Sequence, residues 1–63
     1  MKKMQERIRR ARRKEGLSQA ALAELVKVQR SAVSNWESAN EVLPSMQNLV
    51  AIARACRVSI EWL

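Results

Sequence analysis

Histidine, phenylalanine and tyrosine are absent from this chain, and glycine, proline and cysteine occur once each. Each shortage excludes something. One cysteine, Cys56, cannot form an internal disulfide, and with no histidine to share a metal the usual zinc sets are excluded as well. The same shortages remove the general base, the catalytic triad and the metal centre on which most catalysis rests. The carboxylates are not clustered either, so no enzyme, no metal and no cofactor is expected. No apolar run approaches the ~18 residues that suggest a membrane span, and no uninterrupted apolar stretch follows the charged N-terminus as it would in a signal peptide. The expected setting is a reducing cytoplasm. With Gly and Pro nearly missing and the apolar residues mainly Ala, Leu, Val, Ile and Met, the composition favours helices, and an all-α fold is expected.

What is present is charge. Twelve basic residues against six acidic ones give a net charge of +6. Eight of the twelve (Lys2, Lys3, Arg7, Arg9, Arg10, Arg12, Arg13, Lys14) lie in the first fourteen residues. A local excess of this kind favours a polyanion, either nucleic acid or an anionic membrane surface, without choosing between them. Simple solvation of a surface helix is the third reading, and the membrane reading asks for a stronger apolar face than Met4, Ile8 and Ala11 provide. At 63 residues the chain reads as a single domain over 1–63 with one modest core, of the size at which roughly 60% of the unfolded surface is buried. Stability must come from packing, with help from a partner chain where there is one.

Periodicity divides the chain into short helices. Met4, Ile8, Ala11 and Glu15 follow the i, i+4, i+7, i+11 stripe of a first helix, which Gly16 stops. Ser18 offers an N-cap for a second helix of about two turns, Gln19 to Val26, with Leu22, Ala23 and Val26 on one face. Continued past Val26, that register would want apolar residues near 29, 30 and 33, but it meets Gln29 and Arg30. A new register from about Gln29 to Ser38 turns Ala32, Val33 and Trp36 inward and leaves Arg30, Ser31, Ser34 and Asn35 largely outward. Ala39 to Leu43 reads as a loop. Pro44 limits helix before it, and Ser45 can cap a fourth helix, roughly Ser45 to Arg57, that buries Leu49, Ile52, Ala53 and Cys56. Ser59 can cap one last turn. Trp36 and Cys56 are expected in the core, the latter as a small hydrophobe rather than a reactive thiol.

Two short helices joined by a tight turn, the second polar on its free face, in a basic domain of four or five helices, are the parts of a helix-turn-helix DNA reader spanning about residues 18–38. A major groove about 12 Å wide admits one helix and presents a different pattern of donors and acceptors for each base pair. Arg can bond guanine O6 and N7 together, Asn can bond adenine N6 and N7, and Ser can donate or accept. Arg30, Ser31, Ser34 and Asn35 supply that set within about one and a half turns of helix.

From Ile8 to Leu63 the chain resembles the phage-repressor and Cro type of helix-turn-helix domain, the XRE family. The resemblance rests on Arg12-x-x-x-Gly16-Leu17-Ser18-Gln19 followed by Leu22-Ala23, on Val28-x-x-x-x-Val33-Ser34-x-Trp36-Glu37, on Pro44 with Leu49-x-x-Ile52-Ala53, and on the run from Val58 to Leu63. It implies a repressor that binds a two-fold operator in double-stranded DNA as a homodimer, in the cytoplasm of a bacterium or phage-infected host and at its nucleoid. It also implies that Gln19 contacts the phosphate backbone and braces the recognition helix, with Ser18, Lys27 and Gln29 as further backbone contacts. Arg30, Ser31, Ser34 and Asn35 would face the bases. Arg12 and Glu37 match positions that form an ion pair between the first and third helices. Ile60, Trp62 and Leu63, expected to be exposed, are candidates for the dimer contact or for docking a C-terminal segment of the kind with which relatives often continue. Other readings are an antitoxin or a restriction-modification controller that represses its own operon, or a protein-interaction module that keeps the fold without reading DNA.

Three departures stand out. Where relatives usually carry Gly at the turn, after the third helix and after the fourth, this chain has Lys27, Ala39 and Arg57. Either Lys27 adopts a left-handed conformation, at a cost on the order of 1 kcal/mol relative to Gly, or the turn has another geometry that tilts the recognition helix. Gln29 is also a poorer N-cap than the usual Ser or Thr.

Overall fold

The computed structural model describes residues 4–38 and 42–63, and within them four helices and no strand. These are α1 (Met4–Lys14), α2 (Gln19–Val26), α3 (Arg30–Glu37) and α4 (Met46–Cys56). The fold is all-α. Lys2, Lys3 and the start of the expected loop at Ala39 lie outside the described residues.

Hydroxyl caps start two of the helices. The Ser18 Oγ accepts from the Ala21 amide at 3.0 Å, and the Ser45 Oγ accepts from the Asn48 amide at 3.2 Å. Each bond satisfies one of the amides that a first turn leaves without a partner. The helix ends share a different device. At the end of α1 the amides of Gly16 and Leu17 donate to the carbonyls of Arg13 and Arg12; after α2 those of Lys27 and Val28 donate to Glu24 and Ala23; after α4 those of Arg57 and Val58 donate to Arg54 and Ala53. All three are Schellman closures around a left-handed residue, at φ values of 72° for Gly16, 62° for Lys27 and 59° for Arg57. The residue that follows each cap, Leu17, Val28 or Val58, is partly buried against the core. Of the two geometries open at Lys27, the chain therefore takes the left-handed one. The apolar anchor after the cap holds the turn that glycine usually eases.

The core is built from Ile8 and Ala11 of α1, Leu22, Ala23 and Val26 of α2, Val33 and Trp36 of α3, and Leu49, Ile52, Ala53 and Cys56 of α4. Each of these positions was expected to face inward. α2 packs against α3 and α4, and α1 closes the other side against the same two helices. Arg12 and Glu37 are buried as well. No buried side-chain nitrogen or oxygen among the described residues lacks a hydrogen-bond partner.

The segment after α4 forms the single turn that Ser59 was expected to cap, with the Trp62 amide 3.1 Å from both the carbonyl and the hydroxyl oxygen of Ser59, so the described helices number four. One expectation needs correction. Leu63 is not an exposed contact candidate: it is 8% exposed and belongs to the core. The turn carries Leu63 back onto the helices, while Arg7 of α1 donates to the Trp62 carbonyl at 3.0 Å and fixes it there. Ile60 and Trp62 remain exposed.

Candidate nucleic-acid interface

The left-handed cap at Lys27 sets the direction in which α3 leaves α2. Lys27 turns the chain, Val28 anchors it, and Gln29 enters α3 in extended conformation without a side-chain cap bond. With Val33 and Trp36 driven into the core, the 3.6-residue period sends Arg30, Ser31 and Asn35 to the opposite face, where all three are exposed. Ser34 is only half-buried and sits at the edge of that face. Gln29, Lys27 and Ser18 are exposed, and Gln19 is half-buried. Ser18 is engaged as a cap through its oxygen, which leaves its hydroxyl hydrogen free to donate.

Behind the exposed face lies a polar network centred on Glu37. The Arg12 guanidinium grips this carboxylate with two bonds, Nε to Oε2 at 2.6 Å and Nη2 to Oε1 at 2.9 Å, and spends Nη1 on the Leu17 carbonyl at 2.7 Å. This is the ion pair between the first and third helices that the resemblance implied. The bonds to Glu37 hold the Arg12 pKa above its ordinary value, outweighing the opposing effect of burial. The Gln19 Nε2 donates to Glu37 Oε1 at 3.1 Å, and its Oε1 accepts from Arg30 Nη1 at 3.2 Å. A continuous chain of bonds therefore runs from α1, through α3 and α2, to the first residue of the exposed face.

Sequence reasoning missed Arg9. Its Nη2 donates to the Glu37 carbonyl at 2.8 Å, while its Nε lies 3.9 Å from Glu37 Oε1. The signal was available in the spacing, because Arg9 precedes Arg12 by three residues and so shares its face of α1. Arg10, Arg13 and Lys14 are exposed and add to the basic outer surface of α1. Among the described residues no group of His, Cys, Asp and Glu is placed to hold a metal. No helix among the described residues is long and apolar enough to cross a membrane.

Residues 8–63 match the helix-turn-helix family. The chain belongs to that family, and within it to the phage-repressor type. This helix-turn-helix domain is 42% identical over 60 residues to repressor protein C2 of Salmonella phage P22; the match covers 95% of the chain but only 27% of that longer protein. The crystal structure of the P22 c2 repressor in complex with a synthetic operator superposes with a TM-score of 0.89 at 39% identity, covering 98% of this chain and 92% of that one. SinR, a master regulator for biofilm formation solved in complex with DNA, gives a TM-score of 0.86 at 30% identity over 94% of both chains. The restriction-modification controller protein C.AhdI from Aeromonas hydrophila gives 0.83 at 30% identity, over 94% of this chain and 88% of that one.

Proposed function

We propose that this helix-turn-helix domain is the DNA-reading part of a phage-type transcriptional repressor and that it binds a two-fold operator in double-stranded DNA as a homodimer. The observation that carries the reading is the exposed face of α3, where Arg30, Ser31 and Asn35 stand together on a helix hydrogen-bonded from behind through Gln19 and Glu37. In this reading they meet base edges, with Ser34 at the margin. Ser18, Gln19, Lys27 and Gln29 meet phosphates, and the bases of α1 supply sequence-independent attraction. Two such helices in successive major grooves need centres about 34 Å apart. Ile60 and Trp62 form the contact between protomers. The domain occupies residues 1–63 as one unit, carries no catalytic activity and works in the cytoplasm at the nucleoid. Repression follows from occlusion of a promoter.

The test is selection of bound duplexes from a random DNA pool at near-physiological salt, followed by sequencing. Enrichment of a two-fold symmetric site with half-sites about one helical turn apart is the expected result. Recovery of unenriched DNA, with binding that vanishes as salt rises, would mean that charge alone binds. The likeness to C.AhdI favours a second reading, a restriction-modification controller. Sequencing of genomic fragments bound by the protein separates the two by the genes that flank them.

A further inference from the structure

The turn after α4 is held from three sides. The Trp62 amide is bonded to Ser59, the Trp62 carbonyl accepts from Arg7 Nη1 at 3.0 Å, and Leu63 is buried next to it. Ile60 and Trp62 nevertheless remain 39% and 38% exposed. Two opposite charges accompany them. Arg7, half-buried, reaches the Trp62 peptide from α1, while Glu61 lies between the two apolar residues, exposed and without an ion pair to any base among the described residues. Arg7 spends one donor on the carbonyl and engages no other acceptor among the described residues. A guanidinium has five N–H donors, so most of its fork is left to use.

A two-fold contact joins the same patch from both copies, so that whatever residue i meets, its counterpart meets in return. Two chains of net charge +6 repel one another, and a patch holding only a base would add to that repulsion. This patch holds one base and one unpaired acid beside the same tryptophan, which makes it complementary to itself. Resting on the reading of Ile60 and Trp62 as the contact between protomers, we infer that Arg7 and Glu61 form a reciprocal pair across the two-fold: Arg7 holds the Trp62 turn of its own copy with one donor and takes Glu61 of the second copy with the rest of its fork. The planar fork matches a carboxylate with two parallel bonds. Affinity comes mainly from the apolar side chains, since an exposed ion pair contributes little; the charges fix the registry of the two copies. Half-sites one helical turn apart demand a single registry of the two recognition helices, so a pair that never touches DNA sets the spacing at which DNA is read.

The experiment is sedimentation equilibrium of the wild type, Glu61→Arg, Arg7→Glu and an equimolar mixture of the two variants. Each variant alone sets like charges against each other at both ends of the contact, and its dimer should be weaker than that of the wild type by about tenfold. General repulsion predicts otherwise: Arg7→Glu lowers the net charge and would then dimerise more tightly. In the mixture one chain carries two bases at these positions and the other two acids, so both pairs reform. The mixed dimer should be tighter than either variant with itself by about tenfold. Mixing cannot repair a damaged turn, so the rescue separates a contact across the two-fold from a role within one chain. Variants that dimerise as well as the wild type, or a mixture no tighter than its components, overturn the inference. A wild type that stays monomeric at every concentration, alone and on a duplex with its selected site, overturns the dimer reading and the inference with it. A measurement on the unaltered protein covers the case in which Arg7→Glu does not fold. On dilution through the dimer-to-monomer transition, the 15N-correlated signals of Arg7 Nε–H and the Trp62 indole should shift together, while the indole of Trp36, buried in the core, stays in place. An Arg7 signal that stays fixed through that transition overturns the proposal.

Discussion

Lys27 and Arg57 occupy left-handed positions that ordinarily fall to glycine, with φ values of 62° and 59°. A side chain in that conformation costs roughly 1–2 kcal/mol, whereas glycine loses about 0.5–1 kcal/mol of extra backbone entropy on folding. The first effect is the larger. Lys27→Gly and Arg57→Gly should each stabilise the domain by about 0.5–1 kcal/mol, read as a higher urea midpoint. Gly16 supplies the converse. A Cβ added there meets nothing within 4 Å, so space is not the obstacle, and the φ of 72° alone should make Gly16→Ala destabilising by about 0.5–1 kcal/mol. A neutral result at Gly16 together with a loss at Lys27 would contradict the argument in both directions. On the exposed face of α3, Asn35→Ala should relax preference at one base pair per half-site and cost ~1–3 kcal/mol there. Equal weakening on every duplex would reassign Asn35 to the phosphates.

The elements are held to one another at two kinds of contact, one legible in the sequence throughout and the other only in part. Apolar registers identified the inward face of each helix, because a 3.6-residue period in Leu, Val, Ile and Ala has one physical meaning. Helix starts were legible where Ser stood ready to cap, at Ser18 and Ser45, and one stop was legible at Gly16. At Lys27 the stop was legible from the change of register but its geometry stayed open between two forms, and at Arg57 only the missing glycine was noted, since neither residue favours the left-handed conformation on its own; the tertiary anchors Val28 and Val58 settle it. The polar hub was only half legible. Arg12, Glu37 and the bracing role of Gln19 came from resemblance, for an arginine beside an apolar stripe reads as solvated by pattern alone, and Arg9, though its spacing puts it on the face of Arg12, was missed because its bond to the Glu37 carbonyl depends on three-dimensional approach. The hub makes its own prediction about the α1–α3 contact. Glu37→Leu strands the guanidinium of Arg12, a residue 8% exposed, and should destabilise by about 3–5 kcal/mol. Adding Arg12→Met should restore most of that loss, because the pair's attraction is largely offset by its desolvation. If the double variant is as unstable as the single one, the ion pair contributes more than it costs, and the urea midpoints will say so.

For the whole molecule the decisive fact is that one small core serves all four helices, so there is little to open short of everything. Cys56 reports on this. Its side chain is fully buried among residues of the core, and burial pushes its thiol pKa up. An unfolded thiol titrates near ~8.5. Below that value both states hold the proton, and the thiol contributes its full share of stability. Above it the unfolded chain releases the proton while the folded chain keeps it, so the unfolded state binds fewer protons and stability falls as pH rises towards the folded pKa. Between pH 7.5 and 9.5 the wild type should therefore lose up to about 1.4 kcal/mol more than Cys56→Ala, whose core carries no ionising group at that position. Equal slopes for the two proteins would mean that the thiol ionises as readily in the fold as outside it. A thiol reagent gives the same comparison kinetically. With a single core, the site opens only with the global transition, and at fixed pH the labelling rate of Cys56 should rise with urea in parallel with the unfolding equilibrium constant. A rate insensitive to low urea would instead reveal a local opening of α4 that leaves the other three helices in place.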